Sequence, residues 1–179
     1  MLCFAIVALA QSTKWEREDK TDPLRGITYA QYTLTGKFLT PPKSSSDQPP
    51  LFVVKCVPGT HRKGTGATDG KLLDALIAIH ADVVQSSRYI HVQYRLDDGK
   101  LHQEPWYSGP DPGAVVVPAP ELNNVLYGHI LVHKEGTNPP VRKLVLGVDE
   151  HRGGEVVMQF DMPDPDEMAD ACGILYRKK

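Results

Sequence analysis

The chain has 179 residues, of which 41% are hydrophobic and 23% are charged, so it is long enough to bury a core without metal ions or several disulfides. Its formal net charge of −2 excludes a general electrostatic attraction to nucleic acid or to an anionic membrane. The 15 glycines and 15 prolines predict many turns, which is typical of short strands and not of long helices.

A short apolar run at residues 2–10 opens the chain and is too short to span a bilayer. Ala8 and Ala10 form the small-x-small pattern that a signal peptidase accepts, although the usual basic segment before the run is missing. We therefore interpret residues 1–10 as a signal peptide, with an N-terminal strand as the alternative. Residues 11–179 are then expected to form a single β-rich domain that is periplasmic or secreted.

The next part of the chain alternates between polar and apolar segments. Residues 15–26 are charged and then turn-like, and residues 27–39 have the pattern of a strand. The polar, proline-rich residues 41–50 predict a surface loop. The β-branched residues 51–57 that follow predict a buried strand.

Two segments before the middle of the chain allow more than one interpretation. Residues 59–71 are rich in glycine and follow a predicted strand, but their spacing is not that of a nucleotide-binding P-loop. Residues 72–84 fit both the apolar pattern of a helix and that of a strand. We favour the strand, because every second residue from position 73 to position 83 is apolar.

Residues 89–111 have the clearest pattern in the chain and predict a central β-hairpin. Apolar and polar residues alternate from position 90 to position 97, which is typical of a half-buried strand. Asp98 and Gly99 then supply a hairpin turn, and residues 101–106 return as the partner strand. This hairpin is expected to lie at the centre of the fold.

The last third of the chain continues with short elements. Strands are predicted at residues 129–134, 143–149 and 155–160, and short helices at residues 121–127 and 165–172. The second helix has an aspartate, a proline and two further acidic residues at its start, as expected of a helix N-terminus. The predicted fold class is therefore mainly β, an antiparallel β-sandwich-like single domain with two short helices.

The order of several motifs resembles that of periplasmic accessory proteins associated with type VI secretion and of related uncharacterised exported β domains. In chain order, the resemblance is carried by Trp15, by Asp22, Pro23 and Leu24, by Pro50 and Leu51 before Lys55 and Cys56, by Tyr94, Arg95, Leu96, Asp97, Asp98 and Gly99, by Trp106, Ser108 and Asp111, by a short helix before Leu126, and by Phe160 and a terminal helix with Cys172. The resemblance implies an extracytoplasmic binding or assembly component without an active site of its own.

Two cysteines, Cys56 and Cys172, remain once a signal peptide is removed. Two cysteines in an exported chain usually pair, and Cys172 shares a helix face with Met168 and Ala169. We predict a disulfide that joins the strand at residues 51–57 to the C-terminal helix. The alternative is two separately buried thiols.

Candidate binding residues lie on the hairpin and on the turn that follows it. They are Arg95, Asp97, Trp106 and Asp111. Trp106 is a core residue or a ligand platform, and we favour the core because large aromatic side chains are mostly buried. Arg95 beside Asp97 is interpreted as an ion pair or turn clamp in preference to a catalytic group. The expected partner is a protein or a cell-envelope component, without nucleic acid and without a stable membrane span.

No catalytic, metal or cofactor motif occurs in the sequence. It contains no His-Glu-x-x-His pair, no Cys-His array with zinc spacing and no Gly-x-Ser-x-Gly elbow. The alternative function is a small exported hydrolase or metal-binding enzyme. It would use His91 and His102, facing each other across the hairpin, with Asp97 or Glu104 as a nearby acid.

Overall fold

A computed structural model describes residues 14–43, 48–59, 70–85, 88–111, 113–118, 141–163, 168 and 171–172. These residues form ten strands in one sheet, and every pairing of strands is antiparallel. The strands are β1 (Glu16–Asp22), β2 (Ile27–Thr35), β3 (Lys37–Thr40), β4 (Leu51–Val57), β5 (Lys71–Ala78), β6 (Tyr89–Leu96), β7 (His102–Ser108), β8 (Ala114–Val116), β9 (Lys143–Asp149) and β10 (Glu155–Asp161). The prediction of a mainly antiparallel β fold is confirmed.

The sheet curls so that β2 and β3, which lie near its two ends, are joined through Gly36. The strand order is β1-β2-β4-β5-β8-β7-β6-β9-β10-β3. Strands β2 and β3 therefore lie near opposite ends of this order, although only Gly36 separates them in the chain. A long strand that bends and continues at the other end of a sheet makes a corner. The inner face of the sheet is thereby enclosed, which gives the sandwich-like architecture.

Close packing at the bend explains why residue 36 is glycine. A Cβ atom at Gly36 would lie 2.6 Å from Cε1 and 2.7 Å from Cδ1 of Phe160, and 2.8 Å from the Gln159 carbonyl oxygen. The Phe160 ring in turn packs edge-on against Phe52 at a centroid distance of 6.0 Å. The Gly36 amide donates a hydrogen bond to the Pro50 carbonyl at 2.8 Å. The closed sheet therefore depends on a missing side chain at one position.

The enclosed face forms one hydrophobic cluster among the described residues. Its largest fully buried side chains are Trp106, Tyr32, Tyr94, Phe52 and Phe160. Alternate residues of β2, β6 and β10 point into this cluster, as the period of two in the sequence predicted. The ring of Trp106 lies against that of Tyr94 at a centroid distance of 5.5 Å, which confirms the interpretation of Trp106 as a core residue.

Strand β1 was missed, because its residues were interpreted as a charged segment leading to a turn. It pairs with β2 over its whole length and lies at one edge of the sheet order. Most of its residues are exposed, so no apolar alternation marks it as a strand. Charged side chains on an edge strand discourage pairing with another chain, and this composition hid the strand from pattern analysis.

The predicted strand at residues 72–84 is confirmed for residues 72–78, which belong to β5, with one change of face; residues 79–84 lie beyond the end of that strand. The pairing of β4 with β5 shifts register between Lys55 and Cys56, and Leu73 has no partner in that register. Such a bulge turns one residue outward. Leu73 is consequently 47% exposed, whereas it was expected on the buried face, and Leu72 packs against the core in its place.

The predicted disulfide between Cys56 and Cys172 is confirmed. The two Cα atoms lie 5.2 Å apart across a sequence separation of 116 residues, and both side chains are fully buried. The Gly59 amide also donates a hydrogen bond to the Ala171 carbonyl at 2.8 Å. The C-terminal segment is thereby fixed to the end of β4.

Met168 and Ala171 are helical, but most residues of the two predicted helices lie outside the described residues. Residues 121–127 lie outside them, as do residues 1–10 and 129–134. Of residues 165–172, only Met168, Ala171 and Cys172 are described. The Cys172 amide donates a hydrogen bond to the Met168 carbonyl at 2.9 Å, which is the spacing of one α-helical turn.

Candidate binding surface

The outward-facing side of the β6–β7 hairpin carries a regular row of side chains. The strand register places Tyr89 opposite Tyr107, His91 opposite Pro105, and Gln93 opposite Gln103. We call these six residues the outer hairpin surface. Consecutive outward residues of a strand are separated by two steps of about 3.4 Å each, so the three pairs extend over about 14 Å.

An exposed pair of tyrosines forms one end of the outer hairpin surface. Tyr89 is 39% exposed and Tyr107 is 53% exposed, and their ring centroids lie 5.0 Å apart at an interplanar angle of 42°. A hydrogen bond between the two side chains raises the pKa of Tyr89. The two side chains offer apolar ring faces together with hydroxyl donors and acceptors.

A groove of about 340 Å³ adjoins the tyrosine pair. Outward side chains of β6, β7 and β9 line it, together with backbone of the same strands: His91, Val92, Gln93, Gln103, Glu104, Pro105, Gly147, Val148 and Asp149. Gly147 lies opposite Gln93 and supplies only backbone to the floor. A Cβ atom at Gly147 would overlap the Glu155 carboxylate, so Glu155 borders the groove from β10.

The groove combines polar side chains with apolar surface, and its charged groups are carboxylates. Its outward side chains are two amides, one imidazole, one proline ring and the Asp149 carboxylate. Asp149 pairs with Glu155 across β9 and β10, so two carboxylates lie side by side at one wall. This chemistry suits hydrogen bonding to a polar ligand.

A second concavity, of about 370 Å³, lies near the β1–β2 turn. Its lining includes Asp22, Arg25, Lys55 and Asp74, two residues of each charge. Asp22 and Arg25 form an ion pair at 3.8 Å, and Lys55 lies directly opposite Asp74. Because these charges face partners within the same concavity, it is the weaker candidate for a ligand, and it serves below as a control.

The predicted binding residue Trp106 does not reach the surface. It is 0% exposed and packs against Tyr94 on the inner face of the hairpin. The prediction of Trp106 as a binding residue was therefore wrong. Side chains alternate between the two faces of a strand, and Trp106 lies an odd number of residues from the outward positions of β7. Its neighbour Tyr107 is the aromatic residue that faces outward.

Asp97 acts as a turn clamp, as one interpretation of the sequence proposed. Its Oδ1 atom accepts hydrogen bonds from the amides of Arg142 at 2.9 Å and Lys143 at 2.8 Å. Its own amide donates to the Lys143 carbonyl at 2.8 Å. The clamp therefore joins the β6–β7 turn to the start of β9. The partners of Asp97 are backbone groups, whereas the sequence had suggested the side chain of Arg95.

The other two predicted binding residues lie at opposite ends of the hairpin. Arg95 is exposed at the next outward position after Gln93, beside the β6–β7 turn. Asp111 is exposed in the turn after β7, where its carbonyl accepts a hydrogen bond from the Ala114 amide at 3.2 Å. The four predicted residues therefore do not form one cluster, and only Arg95 extends the outer hairpin surface.

The expected contact between His91 and His102 does not form. The register pairs His91 with Pro105 and Tyr94 with His102, so the two histidines lie on opposite faces of the hairpin. His102 stacks on Tyr94 at a centroid distance of 4.8 Å. Among the residues that the structure describes, no three His, Cys, Asp or Glu side chains are placed to hold a metal ion. The enzyme alternative thus loses the arrangement on which it was based.

Sequence analysis missed the tyrosine pair and Gly147. Tyr89 shares the parity of His91 and Gln93, so the alternation that defined β6 contained the signal for its outward position. Tyr107 has the same parity after the turn. Gly147 gave no comparable signal, because its place beside Gln93 depends on the pairing of β6 with β9, strands far apart in the sequence.

Comparison of the chain with models of known protein families, with curated proteins and with solved structures found no match. The likeness to type VI secretion accessory proteins therefore still depends on the motif order alone. In the described part of the chain, no helix is both long enough and apolar enough to cross a membrane.

Proposed function

We propose that this protein is an extracytoplasmic binding module that contacts a component of the cell envelope through the outer hairpin surface. The observation that carries the proposal is the exposed tyrosine pair beside a polar groove. Tyrosine is enriched at binding surfaces because its rigid ring buries a large area and its hydroxyl stays hydrogen-bonded. The disulfide supports the compartment, because disulfides persist in oxidising environments.

The rigidity of the supporting strands favours recognition by this surface. Strand β6 is hydrogen-bonded to β7 on one side and to β9 on the other, and the Asp97 clamp fixes the adjoining turn. Side chains held on paired strands lose less conformational freedom on binding than side chains on loops. More of the contact energy is then available as affinity.

A cosedimentation experiment tests this function. The full chain, exported and oxidised, is mixed with cell-envelope fragments from a Gram-negative bacterium, and the bound fraction is measured against fragment concentration. The variant Tyr89→Ser/Tyr107→Ser removes both rings from the outer hairpin surface. Leu24→Ser/Leu73→Ser is the matched control, because it removes two exposed apolar side chains, one in the β1–β2 turn and one in the second concavity.

The expected result is binding by the wild type and by the control, with at least about tenfold weaker binding by the tyrosine variant, the loss typical of truncated hot-spot residues. Absence of binding by the wild type would contradict the function. Equal binding by all three proteins, or a loss confined to the control, would contradict the assignment of the surface.

A role in type VI secretion is the narrower form of the proposal and follows from the resemblance. A strain that carries a type VI system and lacks this gene should lose contact-dependent killing of a competitor, and the wild-type gene should restore it. Unchanged killing would remove the secretion role and leave the binding role to be judged by cosedimentation.

A further inference from the structure

We propose that the outer hairpin surface binds a neutral oligosaccharide, with sugar rings against the tyrosine pair and sugar hydroxyl groups on the paired glutamines. This inference rests on the proposed binding function and names the chemical class of its ligand. Three observations carry it: the size of the groove, the chemistry of its lining, and the geometry of the exposed rings.

The size of the groove favours a small ligand over a protein partner. A volume of about 340 Å³ lies within the range of about 300–1,000 Å³ that is usual for small-molecule sites. A stable protein interface buries about 800 Å² on each partner around an apolar centre. Along the hairpin the tyrosine pair is instead bordered by His91 and Pro105, and beyond them by Gln93 and Gln103, which leaves no apolar centre of that extent.

The lining chemistry favours hydroxyl groups. Each glutamine amide presents two hydrogen-bond donors and one carbonyl acceptor, and Gln93 and Gln103 lie directly opposite each other. Each sugar hydroxyl both donates and accepts, so adjacent hydroxyls match such a pair of amides. The imidazole ring of His91 likewise offers two nitrogen atoms for hydrogen bonding.

The charges around the groove favour a neutral ligand over an anionic one. The carboxylates of Asp149 and Glu155 lie side by side on β9 and β10, and they would repel phosphate, sulfate or uronate groups. They also accept hydrogen bonds from hydroxyl groups without a change of charge. Arg95 lies beyond Gln93 at the turn end of the hairpin, which places its positive charge at the edge of the surface.

The exposed rings favour sugars over other small polar molecules. A pyranose ring has an apolar C–H face with hydroxyl groups around its rim, and the exposed faces of Tyr89 and Tyr107 are apolar and electron-rich. Stacking on the rings leaves the sugar hydroxyls free, and a linked ring further along the surface would then lie over the amides of Gln93 and Gln103. Because the three residue pairs extend over about 14 Å, the surface accommodates several linked rings, and affinity should rise with chain length until the surface is covered.

Titration calorimetry with oligosaccharides of defined length tests the ligand class. The probes are β-1,4-linked glucose and β-1,4-linked N-acetylglucosamine oligomers from one to six units, with oligogalacturonate as the anionic comparison. We expect affinity for at least one neutral series to increase with length and then level off, and oligogalacturonate to bind at least about tenfold more weakly. Gln93→Ala/Gln103→Ala should weaken binding of that neutral series about tenfold or more, and Leu24→Ser/Leu73→Ser should not.

Enzymatic digestion of the envelope fragments separates failure of this inference from failure of the proposed function. Glycoside hydrolases should abolish cosedimentation, and protease should leave it unchanged. Cosedimentation that requires the tyrosine pair, survives glycoside hydrolases and disappears after protease would identify a protein partner. It would overturn the oligosaccharide while keeping the binding module. Tighter binding of oligogalacturonate, or no binding of either neutral series at millimolar concentration, would also overturn the oligosaccharide.

Discussion

The two faces of the β6–β7 hairpin differ in how far their aromatic side chains are exposed. On the inner face, Trp106 and Tyr94 are fully buried and pack against each other. On the outer face, Tyr89 and Tyr107 are exposed and also contact each other. Both faces therefore carry an aromatic pair, but only the inner pair has the rest of the protein over it.

The comparison shows how one short segment can separate stability from recognition. Trp106 and Tyr107 are adjacent in the chain, and their exposed fractions are 0% and 53%. Because successive side chains of a strand point to opposite faces, a change at one of the two residues should leave the other face intact.

Trp106→Ala should lower the free energy of unfolding by ~3–5 kcal/mol, because it removes a large buried ring and leaves a cavity. Urea denaturation of the oxidised protein measures the change. Should the variant fail to fold, Trp106→Phe provides the test, because it deletes less volume and should still lower the urea midpoint. An unchanged midpoint in either variant would show that Trp106 does not lie in the core.

Cys56→Ser/Cys172→Ser should lower the free energy of unfolding by ~2–4 kcal/mol, since the bond restricts the unfolded chain across a long loop. The measurement is urea denaturation of the variant beside the oxidised wild type. Mass spectrometry of the unreduced, exported wild type should find Cys56 and Cys172 in one linked peptide pair. Free thiols at both positions would contradict the disulfide and would weaken the signal-peptide interpretation.

Asp97→Ala should destabilise the protein by ~1–3 kcal/mol, because the amides of Arg142 and Lys143 lose their acceptor. Asp97 has a φ angle of 49°, so Asp97→Asn is the matched control: asparagine tolerates this conformation and keeps an acceptor oxygen. Asp98→Ala removes only an exposed ion pair with Lys143 and should have almost no effect. Equal losses in all three variants would exclude the clamp.

Because of His80, the free energy of unfolding should decrease as the pH falls below about 6.5. Burial lowers the pKa of His80 from its usual value, so the unfolded chain takes up the proton at a higher pH than the folded chain does. The contribution of His80 to the free energy of unfolding is therefore fully present above the pKa of the unfolded state, and it is lost as the pH falls toward the pKa of the folded state. His80→Asn, which suits the φ angle of 56°, should reduce the loss between pH 7 and pH 5. Identical pH profiles would contradict this.

Much of the fold could be predicted because its signals are local. The alternation of β6, the turn at Asp98 and Gly99, and the β-branched run of β4 each lie within a few residues. The disulfide could be predicted from the number of cysteines and from the oxidising compartment that the sequence led us to expect. The edge strand β1 escaped because its exposed, charged residues have no apolar period.

The candidate site was harder to predict because it combines distant parts of the chain. Gly147 shapes the groove only because β9 pairs with β6, and no local pattern specifies that pairing. Of the predicted residues, Arg95, Asp97 and Trp106 lie on the hairpin that carries the candidate surface, and Asp111 lies in the turn after it. A binding side chain must also face outward, and the strand register, which decides this, selects Tyr107 over Trp106.

The separation of the two faces is tested most directly by measuring stability and binding together in Tyr107→Ala. The account predicts a free energy of unfolding within about 0.5 kcal/mol of the wild type, as expected for an exposed side chain. It also predicts cosedimentation with envelope fragments that is about tenfold weaker. A variant that loses stability while its binding stays unchanged would contradict the account, because the outer face would then serve the fold and not recognition.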